Sequence, residues 1–174
     1  MKQLFLSLFL LSISIFSIAQ SETGYQFTDV KRLDVTPVKD QHRSSTCWSY
    51  CVTSFFEAEL LRMTNLEYDL SEMWVVRHAY ESKAVKYVRM HGTINFAAGG
   101  AMNDVTDVWK SHGVVPENIY NGLQLDEELP VHSEMDQVLK EYVETIVQNK
   151  NKKLSPVWKE GYNKLLDTYL GETP

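Results

Sequence analysis

The sequence has little cysteine, and its two cysteines are poorly spaced for a disulfide. Cys47 and Cys51 are the only ones among 174 residues. Four residues apart on a predicted helix, their side chains stack along one face and do not converge at the short Cβ–Cβ distance that a disulfide requires. We therefore expect two free thiols.

Other features are missing, and each absence excludes a class of protein or site. The chain has no internal repeat, no low-complexity tract and no block of alternating strands that could build a barrel or sandwich. Its histidines lack His-x3-His spacing, so we expect no metal site and no cofactor. Net positive charge is also lacking: the value of −6 disfavours nucleic acid and anionic membranes as partners. The basic run at residues 150–153 is interpreted as a solvated linker.

The N-terminus is typical of a cleaved export signal. Lys2 precedes an apolar run at residues 4–18, and small residues precede an expected cleavage after Ala19. A membrane anchor is the alternative, but the run is shorter than the roughly 20 residues needed, and no basic stop-transfer cluster follows. We expect a secreted or periplasmic protein without a stable membrane anchor. Its mature domain would be residues 20–174, and loss of Lys2 would change the net charge from −6 to −7.

Apolar residues recur at helical spacing in five segments. In chain order these are residues 48–63, a helix capped by Ser71 that runs to about Lys86, a short helix around Val105 that ends near a left-handed Gly113, a helix begun by Ser133, and a helix that opens with Ser155-Pro156 and ends before Gly171. Residues 87–100 and 113–132 are interpreted as loops with at most short strands. The sequence predicts a mostly helical piece.

The first predicted helix is expected to bury an apolar face. Its members are Trp48, Cys51, Val52, Phe55 and Phe56, continued loosely by Leu60 and Met63. Cys51 is accordingly interpreted as a small buried hydrophobe.

Cys47 stands where a loop of small and polar residues, Gln41-His42-Arg43-Ser44-Ser45-Thr46, runs into this helix. On the first turn of a helix, unpaired N–H groups and the positive end of the macrodipole stabilise a thiolate, which is the nucleophilic form of cysteine. The Gln41 amide, six residues earlier, can point to the same space as the Cys47 N–H, and two donors aimed at one oxygen form an oxyanion hole. The pattern predicts an acyl-transfer nucleophile, Cys47, assisted by Gln41.

This loop and helix start resemble the Cys-Trp motif of the papain superfamily of cysteine peptidases. The superfamily form has a Cys-Gly pair where this chain has Ser44-Ser45, so the family's disulfide is missing, and the Ser-Ser pair is similar to the bleomycin hydrolase and aminopeptidase C branch. Later segments resemble that branch in order. They are Asp69-Leu70-Ser71-Glu72, Gly99-Gly100, His112-Gly113-Val114-Val115-Pro116 and Leu166-Asp167-Thr168-Tyr169-Leu170-Gly171-Glu172.

The resemblance implies an α+β papain-like fold in which this chain is mainly the helical domain that carries the nucleophile, without most of the β-barrel domain. It implies hydrolysis of a peptide or protein substrate through a thioester at Cys47. It also implies that Gly99, Gly100 and Trp48 bind the substrate, and that the protein is an aminopeptidase of the oligomeric kind found in this branch.

The histidine and asparagine of such peptidases follow the cysteine by about 130 to 150 residues, which corresponds here to about position 177 or later. His78, in a His-Ala pair 31 residues after Cys47, lies within a predicted helix and is not expected to be the base. We therefore expect the N-terminal part of a longer peptidase, without turnover by itself. Two alternatives stay open: a non-catalytic peptide-binding relic, and a histidine supplied by a second chain.

Overall fold

The computed structural model describes residues 24–25, 27–125 and 128–174. The expected signal at residues 1–19 lies outside the described residues. Contacts divide the chain into two units, residues 1–32 and 33–174. The described residues of the first unit form no helix or strand, and all helices described below belong to the second.

Helices dominate the second unit. They are α1 (Cys47–Thr64), α2 (Glu72–Arg89), α3 (Met102–His112), α4 (Ser133–Val147) and α5 (Trp158–Leu170). In place of strands, the described residues contain two isolated β-bridges, one parallel between Arg43 and Val131 and one antiparallel between Leu70 and Pro116. The expectation of a mostly helical piece is confirmed.

The helix boundaries follow the predicted signals in most places. Ser71 caps α2, since its hydroxyl accepts the Trp74 N–H at 2.9 Å. The last helix begins at Trp158, later than predicted, because Ser155 starts a turn in which its hydroxyl accepts the Val157 N–H at 3.2 Å. Gly113 follows α3 with φ 76° and ψ −166°, so φ is positive as expected but the conformation is not the left-handed helical one.

Helix α2 is the centre of the packing. It contacts each of the other four helices, and α1 also packs on α3, as α4 does on α5. Twelve of its eighteen residues are buried. The fully buried side chains of the core include Met73, Val75, Val76, Tyr80, Val105, Met135, Leu139, Val143, Tyr162 and Leu166. None of the helices in the described part of the chain combines the length and apolar character needed to cross a bilayer.

Only part of the expected apolar face of α1 turns inward: Trp48 is buried and Val52 packs against the core. The buried residues of this helix are Trp48, Ser49, Thr53 and Glu57. By contrast, Cys51 is exposed, and Phe55 is 53% exposed. The interpretation of Cys51 as a buried hydrophobe is therefore wrong.

Polar groups at the start of α2 explain which face of α1 turns inward. The Ser49 hydroxyl donates to the Glu72 carbonyl at 3.0 Å, and the Leu70 N–H donates to Glu57 Oε1 at 2.8 Å. Buried main-chain groups at a helix end need such partners, and the polar face of α1 supplies them.

Lys39 completes this polar contact. Its Nζ lies 3.1 Å from Glu57 Oε1, 2.9 Å from Glu72 Oε1 and 2.6 Å from Asp69 Oδ1, and it donates to the Leu70 carbonyl at 3.1 Å. Burial acts to lower the pKa of Lys39, but the carboxylates outweigh it and hold the pKa above its ordinary value. One cation thus joins the extended segment before the cysteine loop to α1 and α2.

We expect Lys39→Met to lower the free energy of unfolding by about 2–4 kcal/mol, because Glu57 and Glu72 would keep buried charges without a cation. Urea denaturation at pH 7 measures this. Arg62→Met is the matched control, since Arg62 pairs with Glu59 on the surface and its loss should not move the midpoint measurably. Equal effects of the two substitutions would contradict the account.

Glu117 adds a pH dependence to the same region. Burial, together with Glu72 and Asp69, raises the pKa of Glu117 to about 7, and its Oε2 is buried without a hydrogen-bond partner among the described residues. This carboxyl binds its proton more tightly in the folded state than in the unfolded state. The folded protein therefore loses stability as the pH rises from about 4.5 through 7.

Glu117→Gln should remove this loss. We expect the variant to be more stable than the parent at pH 8 and nearly equal to it at pH 4, since both side chains are then neutral. Urea midpoints of both proteins across this range test the prediction, with Glu67→Gln at an exposed site as control. A difference that does not change with pH would refute it.

Candidate active site

The Cys47 thiol is exposed at the first residue of α1. Thr46 precedes it as the N-cap and makes no side-chain capping bond, while its carbonyl accepts the Ser49 N–H at 2.9 Å. In the part of the chain that the structure describes, the N–H groups of Cys47 and Trp48 have no acceptor. A sulfur beside free N–H groups at the positive end of an 18-residue helix is suited to nucleophilic attack and to binding an oxyanion.

The loop that delivers Cys47 is fixed at its middle. The Gln41 carbonyl accepts the Ser44 N–H at 3.2 Å, which closes a tight turn. Arg43 then pairs with the segment before α4, donating to the Pro130 carbonyl at 3.1 Å and accepting the His132 N–H at 3.3 Å. These main-chain bonds hold the loop to the body of the unit.

Ser44, Ser45 and Thr46 directly precede Cys47. Ser44 and Thr46 are fully buried, and their hydroxyls hydrogen-bond to each other. Ser45 has φ 58°, a left-handed conformation that favours glycine. The hydroxyl pair thus stabilises the loop before Cys47, and a serine occupies a backbone conformation suited to glycine.

Gln41 lies at the start of this loop. Its Oε1 is the buried end of the side-chain amide and has no hydrogen-bond partner among the described residues. The structure contains no hydrogen bond between Gln41 and Cys47 in that part of the chain. The role of Gln41 as an oxyanion donor stays a prediction.

The side chain of Trp48, the residue after Cys47, contacts the loop that carries the glycine pair. Its indole Nε1 donates to the Ala98 carbonyl at 2.9 Å, and the side chain is 7% exposed. A Cβ on Gly100 would lie 2.5 Å from Cδ2 of the indole, whereas a Cβ on Gly99 would meet nothing within 4 Å. Of the three residues predicted to bind substrate, the structure therefore brings Trp48 and Gly100 into contact, with Gly99 beside them.

His78 and His112 pack against aromatic rings, and His132 is buried. The His78 ring packs edge-on against Trp74, with ring centroids 4.2 Å apart, and stacks on His112 at 3.9 Å. Burial lowers the pKa of His132 to about 4, and the nearby Ser44 main chain only partly offsets this. His132 is therefore neutral near pH 7. Among the described residues, no group of three or more His, Cys, Asp or Glu side chains has the geometry of a metal site.

Sequence reasoning missed two lysines that shape the site, Lys39 and Lys83. Lys39 lies two residues before Gln41 and holds the start of the loop. Lys83 donates to the Gly99 carbonyl at 2.6 Å. Lys83 lies three residues after Tyr80 and four before Tyr87, on the same face of α2 as these two aromatic residues, and this spacing was a signal that could have identified it.

Comparison with known proteins gives one family. The sequence profile described as papain family cysteine protease matches residues 25–165. A search of curated proteins gives no match.

We expect Gly100→Ala to lower the free energy of unfolding by about 1–3 kcal/mol, because the new methyl group would overlap the Trp48 indole. Gly99→Ala is the matched control and should have a much smaller effect, since its Cβ would stand in open space. Urea denaturation followed by tryptophan fluorescence measures both. The account fails if the two substitutions have the same effect.

Proposed function

The chain belongs to the papain family of cysteine proteases, and we propose that Cys47 is the nucleophile with which it attacks peptide bonds. The supporting observation is the exposed thiol at the first residue of α1, beside N–H groups that have no acceptor among the described residues. The substrate is a peptide or protein, and the reaction requires no cofactor.

The proposed reaction is acyl transfer in two stages. The Cys47 sulfur attacks the carbonyl carbon of the scissile peptide, and the carbonyl electron pair moves onto oxygen. The Cys47 N–H and the Gln41 amide stabilise this oxyanion. When the intermediate collapses, the C–N bond breaks, the amine leaves with a proton, and a thioester forms at Cys47. Water then attacks the thioester, which releases the carboxylic acid and restores the thiol.

We assign the proton transfer to an imidazole other than the two buried histidines. The pKa of His132, about 4, is too low for a group that must donate a proton near neutral pH. His78 is packed against two aromatic rings on α2 and α3. We propose that these 174 residues alone turn over peptides poorly.

We further propose the bleomycin hydrolase and aminopeptidase C branch. The support is the Ser44-Ser45 pair in place of Cys-Gly, and the Leu70-Ser71-Glu72 segment, in which Ser71 caps α2 and Glu72 binds Lys39. Membership of this branch would make the protein an oligomeric aminopeptidase. The composition of residues 1–19 supports export to the periplasm or the medium without a lasting membrane anchor, and the acidic net charge argues against nucleic acid as a partner.

The second thiol provides an internal reference for the test. Cys51 is also exposed, one turn further along α1, where the helix N–H groups are already paired. We expect iodoacetamide at pH 6 to alkylate Cys47 about tenfold faster than Cys51, because only the Cys47 sulfur lies beside N–H groups that lack an acceptor in the described part of the chain, at the positive end of the helix. Peptide mapping by mass spectrometry gives both rates in one protein, and Cys47→Ser and Cys51→Ser verify each separately.

Equal rates for the two thiols would contradict an activated Cys47. That result, combined with binding of peptides to the protein, would favour the non-catalytic relic.

A further inference from the structure

Lys83 binds the glycine loop, defined here as residues 97–100, through its side-chain amine. Its Nζ donates to the Gly99 carbonyl at 2.6 Å and to the Ala97 carbonyl at 3.3 Å. The same nitrogen lies 5.1 Å from the ring centroid of Trp48 and 5.2 Å from that of Tyr80. One cation therefore contacts the loop and the aromatic ring on which the loop rests.

Side chains, not main-chain pairing, hold this loop. Residues 94–100 make no backbone–backbone hydrogen bond within the described residues. Three successive carbonyls are bound by side chains instead: Lys83 binds those of Ala97 and Gly99, and the Trp48 indole binds that of Ala98. The N–H and C=O groups of Gly100 itself have no hydrogen-bond partner in the same part of the chain, so the loop is fixed by the preceding carbonyls and leaves these two groups free.

The charge of Lys83 is used for these contacts and not for an ion pair. Within the described part of the chain, no carboxylate lies within ion-pair distance of its amine. Burial lowers the pKa of Lys83, while Asp104 and Asp136 act from further away to raise it, and Lys86 acts to lower it. Hydrogen bonds to carbonyl oxygens and contacts with aromatic faces stabilise a cation that burial has removed from water.

We propose that Lys83 is a positioning residue for peptide binding, which holds the glycine loop against Trp48 and thereby sets the place of the Gly100 peptide groups relative to Cys47. The proposal rests on the proposed function, because the loop matters to catalysis only if peptides bind along it. Lys83 does not act on the sulfur itself. Its loss should weaken recognition of a peptide without changing the intrinsic reactivity of the thiol.

A pair of electrophiles separates these two effects. A peptidyl epoxide must bind before it alkylates Cys47, whereas iodoacetamide carries no peptide. We expect Lys83→Met to slow alkylation by the peptidyl epoxide about tenfold, as for loss of a charge-assisted hydrogen bond, and to leave the iodoacetamide rate within about twofold. Lys86→Met, at an exposed position one turn further on α2, is the matched control, and Lys83→Arg should restore part of the lost rate.

The indole N–H of Trp48 reports the loop directly by NMR, because it is bonded to the Ala98 carbonyl. We expect Lys83→Met to speed its hydrogen exchange about tenfold as the loop separates from the ring; Lys83→Gln serves if the methionine variant does not fold. Unchanged exchange would overturn the proposal regardless of reactivity. A different result would be faster exchange in the variant, together with a parent protein that shows no preference for the peptidyl epoxide over iodoacetamide. That result would refute the proposed function and the peptide-binding part of the proposal.

Discussion

The ion pairs of Lys39 are the constraint on which the site depends. This one amine binds Glu57 of α1, Glu72 of α2 and Asp69 between the two helices. Glu57 and Glu72 are almost completely buried, and removal of one member of a buried charged group leaves the others unpaired at a high energetic cost. The network therefore fixes the segment that leads into Gln41, and with it the loop that ends at Cys47.

Adjacent residues at the start of α1 face in different directions. Cys47 faces solvent, while Trp48 and Ser49 are buried against the glycine loop and the start of α2. Consecutive residues of a helix are rotated by about 100°, so burial of these two side chains directs the cysteine outward. The same packing explains the glycine at position 100, because the indole occupies the space that a side chain there would need. Lys83 then joins the loop to this aromatic surface from α2.

Sequence patterns predicted much of the fold, and their failures have physical reasons. Helix positions follow from spacing and from caps such as Ser71, which act locally. The inward face of α1 could not be found this way, since Ser49 and Glu57 turn inward to bind groups distant in sequence. The motif around Cys47 predicted where the thiol lies. It could not reveal the contact of Trp48 with Gly100, nor the carbonyl bonds of Lys83, because both join side chains on helices to a loop that is distant from them in sequence.

The central claim is that Cys47 forms an acyl intermediate. Incubation with an activated ester of an amino acid, such as a p-nitrophenyl ester, followed by intact-mass measurement and peptide mapping, tests it without requiring the imidazole, because the leaving group needs no proton. The account predicts one acyl group per chain, attached to Cys47 and released by hydroxylamine as expected of a thioester. Absence of an adduct, or acylation of Cys51 to the same extent, would contradict it.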